Sequence, residues 1–449
     1  MKPIFKQEQD FLLARGVDLP SDCWRDGNQI FLDPRHKTPY IKFKVQDNKI
    51  IISKKNKEML NEQRSTVAEL IELYTSGLNQ QLNLSVCNLY DFIIKNPDVK
   101  YVVGHSGGKD STLTYHVWNM TLDAIAELKP EIFERIKWEV NFCNTSNETV
   151  DTYKYIKQNI DKKRLTILNP KIGYYQWLVK IKKYYLPTRL TRNCCSIYKE
   201  GQIKKHYDTK EPLIMVTGVR KHESTKRAKY DFIMNSNFRK SIFKVDNLSA
   251  NWITFAPIVE WTDEEVWLYI LKERLLYNRQ YDLGFNRCGC LICPFQADYI
   301  DLLTQEHYPK IWQKWLRILE NNYITQRIKE RLKWTLKEWQ QGEWKDAKSK
   351  VHKKTELKMT EARLKEVAEI QGVSINVAKK YWKKTCRCGK KLNPTEIAMY
   401  LKLYGRFENQ ENDEREFLCK KCLCEDQGMP SKQFQEKARQ FSEQGCDLF

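Results

Sequence analysis

Long apolar stretches are missing from this 449-residue chain. No run approaches the roughly 18 residues needed to cross a bilayer, so no membrane-spanning helix is expected. The opening stretch, Met1 to Gly16, lacks the apolar core of a secretory signal, and a cytoplasmic location is the expectation. Internal repeats and low-complexity tracts are also absent. Glycine is scarce, with 17 residues, so any cluster of glycines marks a place where the backbone needs them. In a reducing compartment the 14 cysteines read as metal ligands or reactive thiols rather than as disulfides.

Aromatic residues, by contrast, are plentiful. They make up 12% of the chain, including 13 Trp and 23 Tyr, which excludes wholesale disorder. Hydrophobic residues reach 41%, enough for sizeable cores, and the length suggests about three domains. Lys and Arg number 77 against 57 Asp and Glu, a net charge of +20. Such a positive field favours a polyanionic partner, DNA or RNA.

The periodicity divides the chain. Residues 1–60 hold short alternating runs such as Ile41-Lys42-Phe43-Lys44-Val45 and predict a small β-rich leader. Residues 61–300 alternate helical stretches with short apolar runs at Lys100–Gly104, Trp138–Cys143, Leu165–Leu168 and Leu213–Gly218. That alternation predicts an α/β fold, a parallel twisted sheet with flanking helices. Residues 301–384 read as helical, and 385–449 as a cysteine-containing metal module with a tail.

The strongest local signal is Ser106-Gly107-Gly108-Lys109-Asp110-Ser111, between a predicted strand and a predicted helix. Two glycines let successive amides turn inward, and the helix N-terminus adds partial positive charge. Together they make a phosphate cradle. It is not a Walker A loop, because position 103 is Val and position 110 is Asp.

This stretch resembles the pyrophosphatase loop of the ATP pyrophosphatase (PP-loop) superfamily. Other segments are similar to its phosphoadenosine phosphosulfate (PAPS) reductase branch: Asn144 to Glu148, Thr191 to Lys199, Gly218 to Arg227, and Pro257 to Trp267 with its Thr262 cap. The resemblance covers about residues 98–300 and implies an adenine nucleotide alpha hydrolase-like fold. It also implies a nucleotide, ATP or adenylyl sulfate, held by Ser106, Gly107, Gly108, Lys109, Asp110, Ser111, Thr145, Lys199, Gly218, Arg220 and Ser224. Lys109, Asp110, Arg220 and Arg227 would do the chemistry, with Asp110 the carboxylate on the Mg2+ side. Arg220 and Arg227 suit bidentate contact with phosphate or sulfate oxygens.

Cys194-Cys195 and Cys290-x-x-Cys293 form a split set of four thiolates, with Cys288 a fifth candidate. Soft thiolates select zinc or an iron–sulfur cluster. The double cysteine resembles the four-iron four-sulfur site of adenylyl-sulfate reductases and of DNA-phosphorothioation enzymes. That implies Cys194, Cys195, Cys290 and Cys293 as cluster ligands.

Further along, Leu364 to Trp382 has helix-turn-helix spacing, with Ala368 at the crossing, Gly372 in the turn and Ser374 as a cap. Lys379, Lys380, Lys383 and Lys384 would face a duplex. Cys386, Cys388, Cys419 and Cys422 look like a zinc ribbon, with Cys424 an alternative member. Cys446 lies in the tail. The resemblance to sulfonucleotide reductases makes it a candidate nucleophile, although their pattern around that cysteine is not matched.

Taken together, the leading expectation is an ATP-dependent enzyme that adenylates nucleic acid and transfers sulfur to it, with a cysteine desulfurase as donor. The alternatives are a reductase of adenylyl sulfate or PAPS that releases sulfite, and a nucleic-acid-binding scaffold with a regulatory nucleotide site.

Overall fold

A computed structural model describes residues 1–189, 193–207, 212–225, 227–235, 252–346, 368, 374–405 and 415–443. The chain forms two compact units, Met1–Val351 and His352–Phe449.

The first unit opens with a five-stranded antiparallel sheet in sequential order: β1 (Lys2–Pro3), β2 (Trp24–Asp26), β3 (Gln29–Phe31), β4 (Ile41–Gln46) and β5 (Lys49–Lys55). Alternation in β4 sends Ile41 and Phe43 inward and Lys42 and Lys44 to solvent. Asp47 and Asn48, both at positive φ, form the tight turn into β5. The buried face packs with helix α1 (Lys6–Leu13) on Tyr299, Leu302 and Leu303.

Helix α2 (Val67–Lys95) starts at a reciprocal cap between Thr66 and Glu69 and leads to the main sheet. That sheet contains β6 (Lys100–Gly104), β7 (Trp138–Cys143), β8 (Leu165–Leu168), β9 (Leu213–Val216), β10 (Ile233–Asn235) and β11 (Trp252–Phe255). Their spatial order is β10-β11-β9-β6-β7-β8, parallel throughout except for β10 against β11. Tyr101, Val102 and Val103 of β6 are fully buried, as a central strand covered on both faces requires. Helices α3 (Lys109–Leu128), α4 (Val150–Asn159) and α5 (Asp263–Lys272) flank the sheet.

The chain runs from β6 to β7 and β8 on one side, then returns to β9 on the other. Strand order thus reverses between neighbouring β6 and β9, the place where open α/β sheets commonly hold ligands. The expected α/β architecture is thus present, with its small N-terminal sheet.

In the second unit, α6 (Ile375–Lys383) is capped by Ser374, whose hydroxyl accepts from the Val377 amide at 3.3 Å. It is followed by α7 (Pro394–Tyr404), α8 (Lys420–Asp426) and α9 (Ser431–Glu443). Of the expected helix-turn-helix, the first helix apart from Ala368 and the Gly372 turn lie outside the described residues.

Candidate functional site

The segment between β6 and α3 leaves the carboxyl end of β6, at the point where the strand order reverses. Gly107 adopts φ +80°, and an added Cβ would stand 2.8 Å from Thr152 Cγ2, so the loop tolerates nothing larger there. The His105 ring, buried beneath, accepts the Gly107 amide at Nδ1 (3.1 Å). Burial lowers the His105 pKa to about 3 and keeps the ring neutral, as that acceptor role demands. The Ser106 amide donates to Ser111 Oγ (3.2 Å), and the Lys109 amide donates to the Tyr281 hydroxyl (2.9 Å). The Asp110 and Ser111 amides, in the first turn of α3, have no acceptor among the described residues, and Gly108 at the N-cap offers no side-chain cap. Two orphan donors at the start of a 20-residue helix suit an anion.

Around this loop lies a square of charges. Lys109 Nζ is 2.7 Å from Asp110 Oδ1 and 2.8 Å from Asp263 Oδ1. Arg220 Nε meets Asp110 Oδ1 at 2.7 Å, and its Nη2 meets Asp263 Oδ1 at 2.5 Å. A third Arg220 nitrogen donates to the Trp261 carbonyl (3.1 Å), so the buried guanidinium is fully engaged. Burial works against the Asp263 carboxylate, but Lys109, the N-terminal ammonium and Arg220 hold its pKa well below the usual range. Asp263 enters as the first residue of α5, where Thr262 and Glu265 cap each other. At Gly218, just past β9, a Cβ would sit 2.8 Å from the Asp110 carbonyl carbon and oxygen. Only glycine lets that segment pass so close to the first turn of α3.

The structure therefore joins Lys109, Asp110, Arg220 and Gly218 around the loop. Arg227 instead pairs with Glu223, whose carboxylate also accepts the Arg220 amide, and stands one step away. Ser224 is exposed in the same turn, its carbonyl accepting the Arg227 amide.

The cysteines come from two distant segments. Cys194 and Cys195 end a short helix that continues as a π-helical turn over Ser196–Glu200. Cys290 and Cys293 lie in a loop fastened to the segment after β7. The Leu291 amide donates to the Asn147 carbonyl (2.6 Å), and Asn147 Nδ2 donates to the Ile292 carbonyl (2.8 Å). Buried Thr145 places its hydroxyl 3.6 Å from Cys290 Sγ. The two pairs meet: the Cys194 thiol is pushed up by its hydrogen bond with Cys195, by burial, and by the charges of Cys195, Cys290 and Cys293. Lys199 faces the set, and the Cys290 charge raises its pKa. Glu148 is held to Thr145 by paired hydrogen bonds, and burial raises its carboxyl pKa.

Cys288 turns elsewhere. Its thiol bonds to the Tyr281 hydroxyl and lies in the field of Lys109, so it faces the phosphate loop. Burial pushes that thiol up.

The second unit holds a different cysteine set. The sulfurs of Cys386, Cys388, Cys419 and Cys422 lie within 4.8 Å of one another, with Cys388 and Cys419 at 3.8 Å. Around one tetrahedral zinc, Zn–S bonds of about 2.3 Å put sulfurs about 3.8 Å apart, so this donor set fits a single ion. A knuckle makes the C-x-C spacing workable: the Cys386 amide donates to the Lys390 carbonyl, the Gly389 amide donates to the Cys386 carbonyl, and Gly389 takes φ +83°. The Lys390 amide lowers the Cys388 pKa to about 7, easing thiolate formation. Cys424 is buried in α8 outside the set. The sulfurs of Cys194, Cys195, Cys290 and Cys293 do not crowd within 4.8 Å of one another in this way. Cys446 lies outside the described residues.

Sequence reasoning passed over Asp263, Tyr281 and His105. The signal for Asp263 was its place directly after a Thr cap that begins an acidic first turn. Tyr281 and His105 left none, because each acts through a contact made only in the folded chain.

Residues 100–296 match the phosphoadenosine phosphosulfate reductase domain family. An uncharacterized protein of Methanocaldococcus jannaschii is 28% identical over 243 residues, covering 54% of this chain and 53% of the relative. The adenosine 5'-phosphosulfate reductase of Salinibacter ruber is 30% identical over 118 residues, covering 26% of this chain and 42% of that protein. The solved phosphoadenylyl-sulfate reductase of Candida auris overlaps 51% of this chain and 98% of its own, at 18% identity and a TM-score of 0.32. The chain thus spans about half the length, or less, of these curated relatives. This segment is an α/β domain of the PP-loop class. Within that class, residues 100–296 are a PAPS reductase-like domain.

Proposed function

We propose that the chain is an ATP-dependent, iron–sulfur enzyme that adenylates an oxygen of DNA or RNA and replaces it with sulfur. The observation that supports this reading is the gathering of Cys194, Cys195, Cys290 and Cys293 in the same unit as a loop whose Asp110 and Ser111 amides have no acceptor among the described residues. Those amides hold the pyrophosphate portion of ATP. Lys109 and Arg220 neutralise the charge that develops as pyrophosphate leaves, and Asp110 faces the accompanying Mg2+. The terminal sulfur of a persulfide donor such as a cysteine desulfurase then attacks the adenylated centre and expels AMP, and a thiol reductant cleaves the disulfide so formed to leave sulfur on the nucleic acid. The four cysteines would hold a four-iron four-sulfur cluster, whose net negative charge with its four thiolates Lys199 would face. Zinc at Cys386, Cys388, Cys419 and Cys422 would fold the second unit. Lys379, Lys380, Lys383 and Lys384 on and beside α6 would draw in the polyanion.

A second reading is supported by the likeness to an adenosine 5'-phosphosulfate reductase. In it the loop holds adenylyl sulfate, and Cys446 attacks the sulfate sulfur to release AMP.

One set of assays on anaerobically purified protein separates them. Pyrophosphate release from ATP that is stimulated by DNA or RNA supports the first reading. Sulfite release from adenylyl sulfate that is abolished by Cys446→Ser supports the second. Iron absent from the protein, with visible absorbance unchanged in Cys290→Ser, rejects the cluster in both.

A further inference from the structure

The family match begins at residue 100, so the N-terminal sheet lies outside it. A buried charge cluster nevertheless links that sheet to the site. Glu8 of α1, fully buried, accepts from Lys2 Nζ (2.6 Å), Arg25 Nε (2.5 Å) and the Tyr299 hydroxyl (3.2 Å). Two buried cations against one carboxylate need further acceptors. They find them in the backbone of the 281–284 turn. Lys2 Nζ donates to the Tyr281 carbonyl at 3.2 Å, and Arg25 Nη2 donates to the Gly284 carbonyl. Gly284 takes φ +99°, and a Cβ there would sit 3.0 Å from Glu8 Cδ, so the turn is pressed onto the cluster. The other end of Tyr281 is the hydroxyl that accepts the Lys109 amide in the phosphate loop.

We infer that the N-terminal sheet is part of the nucleotide site: Lys2, Glu8 and Arg25 are positioning residues that hold Tyr281 at the height where its hydroxyl fixes the phosphate loop. This rests on the reading of that loop as a phosphate site. Buried ionic clusters contribute little net stability but specify one geometry. Here the geometry specified is that of a turn whose side chain reaches residue 109. Tyr281 occupies the Lys109 amide and leaves those of Asp110 and Ser111 for ligand.

The test is a double-mutant cycle on the full chain, with Mg2+ and inorganic pyrophosphate as probe and binding read by calorimetry. Tyr281→Phe removes the hydroxyl and keeps the ring. Lys2→Met removes the bond to the Tyr281 carbonyl and leaves Glu8 balanced one-to-one by Arg25. Each is expected to weaken pyrophosphate binding about three- to tenfold, the worth of one hydrogen bond. The double variant is expected to bind within about twofold of Tyr281→Phe alone, because both act through one contact. Tyr299→Phe, which removes only a hydroxyl from Glu8, is the milder second variant and should show the same non-additivity. If Lys2→Met and Tyr299→Phe melt earlier yet bind as wild type, or if their penalties multiply in full with that of Tyr281→Phe, the inference is overturned. If the wild-type chain binds neither pyrophosphate nor ATP, the phosphate reading itself falls, and this inference with it.

Discussion

Gly218→Ala is the sharpest local test of the site. The added methyl would stand 2.8 Å from the carbonyl carbon and oxygen of Asp110 and 2.9 Å from Thr114 Oγ1. Two of those atoms are backbone in the first turn of α3, so no side-chain rotation relieves the clash. Forcing a methyl into such a space costs about 1–3 kcal/mol of stability. If the turn yields instead, the Asp110 amide moves away from its ligand position. Loss of one hydrogen bond to a charged phosphate, about 1.5–3 kcal/mol, weakens binding roughly 10- to 100-fold. Gly104→Ala is the matched control. It ends the neighbouring strand, but its methyl would lie 3.6 Å from the Val216 carbonyl oxygen and 3.8 Å from Thr217 Cγ2, which is ordinary contact. Thermal unfolding and calorimetric titration with ATP or pyrophosphate read both effects. If Gly218→Ala melts and binds like Gly104→Ala, the close approach of the β9 end to α3 does not hold the loop.

Other perturbations have equally definite outcomes. Gly77 lies inside α2 with nothing within 4 Å of an added Cβ, so Gly77→Ala should raise stability by about 0.5–1 kcal/mol in a denaturant titration. His105 has a folded pKa near 3 against an ordinary value of 6.5, so the unfolded chain takes up its proton first as pH falls. Its contribution to stability is complete above about 6.5 and is lost as pH drops toward 3; His105→Asn should flatten that part of the unfolding profile. Cys422→Ser should abolish zinc binding and leave the segment from Ser374 to Glu443 open to proteolysis, while Cys424→Ser retains the metal. Binding to duplex DNA or RNA should weaken steeply with salt, and a flat salt profile would contradict a phosphate-driven contact.

The parts legible in the sequence are those whose cause is local. Six consecutive residues from Ser106 to Ser111 carry the turn, the helix start and the donors, so the loop could be read without a fold. The parallel sheet was visible in short apolar runs separated by helical stretches, and β4 of the small leader in the alternation from Ile41 to Val45. What escaped depends on tertiary approach. Asp263 lies 153 residues after Asp110, and nothing in its own neighbourhood shows that it meets Lys109. Lys2, Glu8 and Arg25 read as ordinary charges in a small leader until the fold closes around them. Cys288 sits two residues before Cys290, and spacing alone grouped it with the cluster candidates. The backbone turn around Gly289, at φ +138°, separates their directions. In the second unit, the sequence left Cys424 open as an alternative to a C-x-C pair, because the knuckle that accommodates Cys386 and Cys388 is built by backbone hydrogen bonds.

The square formed by Lys109, Arg220, Asp110 and Asp263 has a consequence for selectivity. A visiting anion finds no vacant cation, since each is already satisfied by a carboxylate. Its net gain is the difference between two pairings, and a simple monoanion such as chloride gains little from the exchange. A polyphosphate that arrives with its own divalent metal changes both sides of that trade, because the metal gives the released carboxylates a new partner. Read as a phosphate site, the square would thereby discriminate against abundant small anions and favour a metal-chelated polyphosphate.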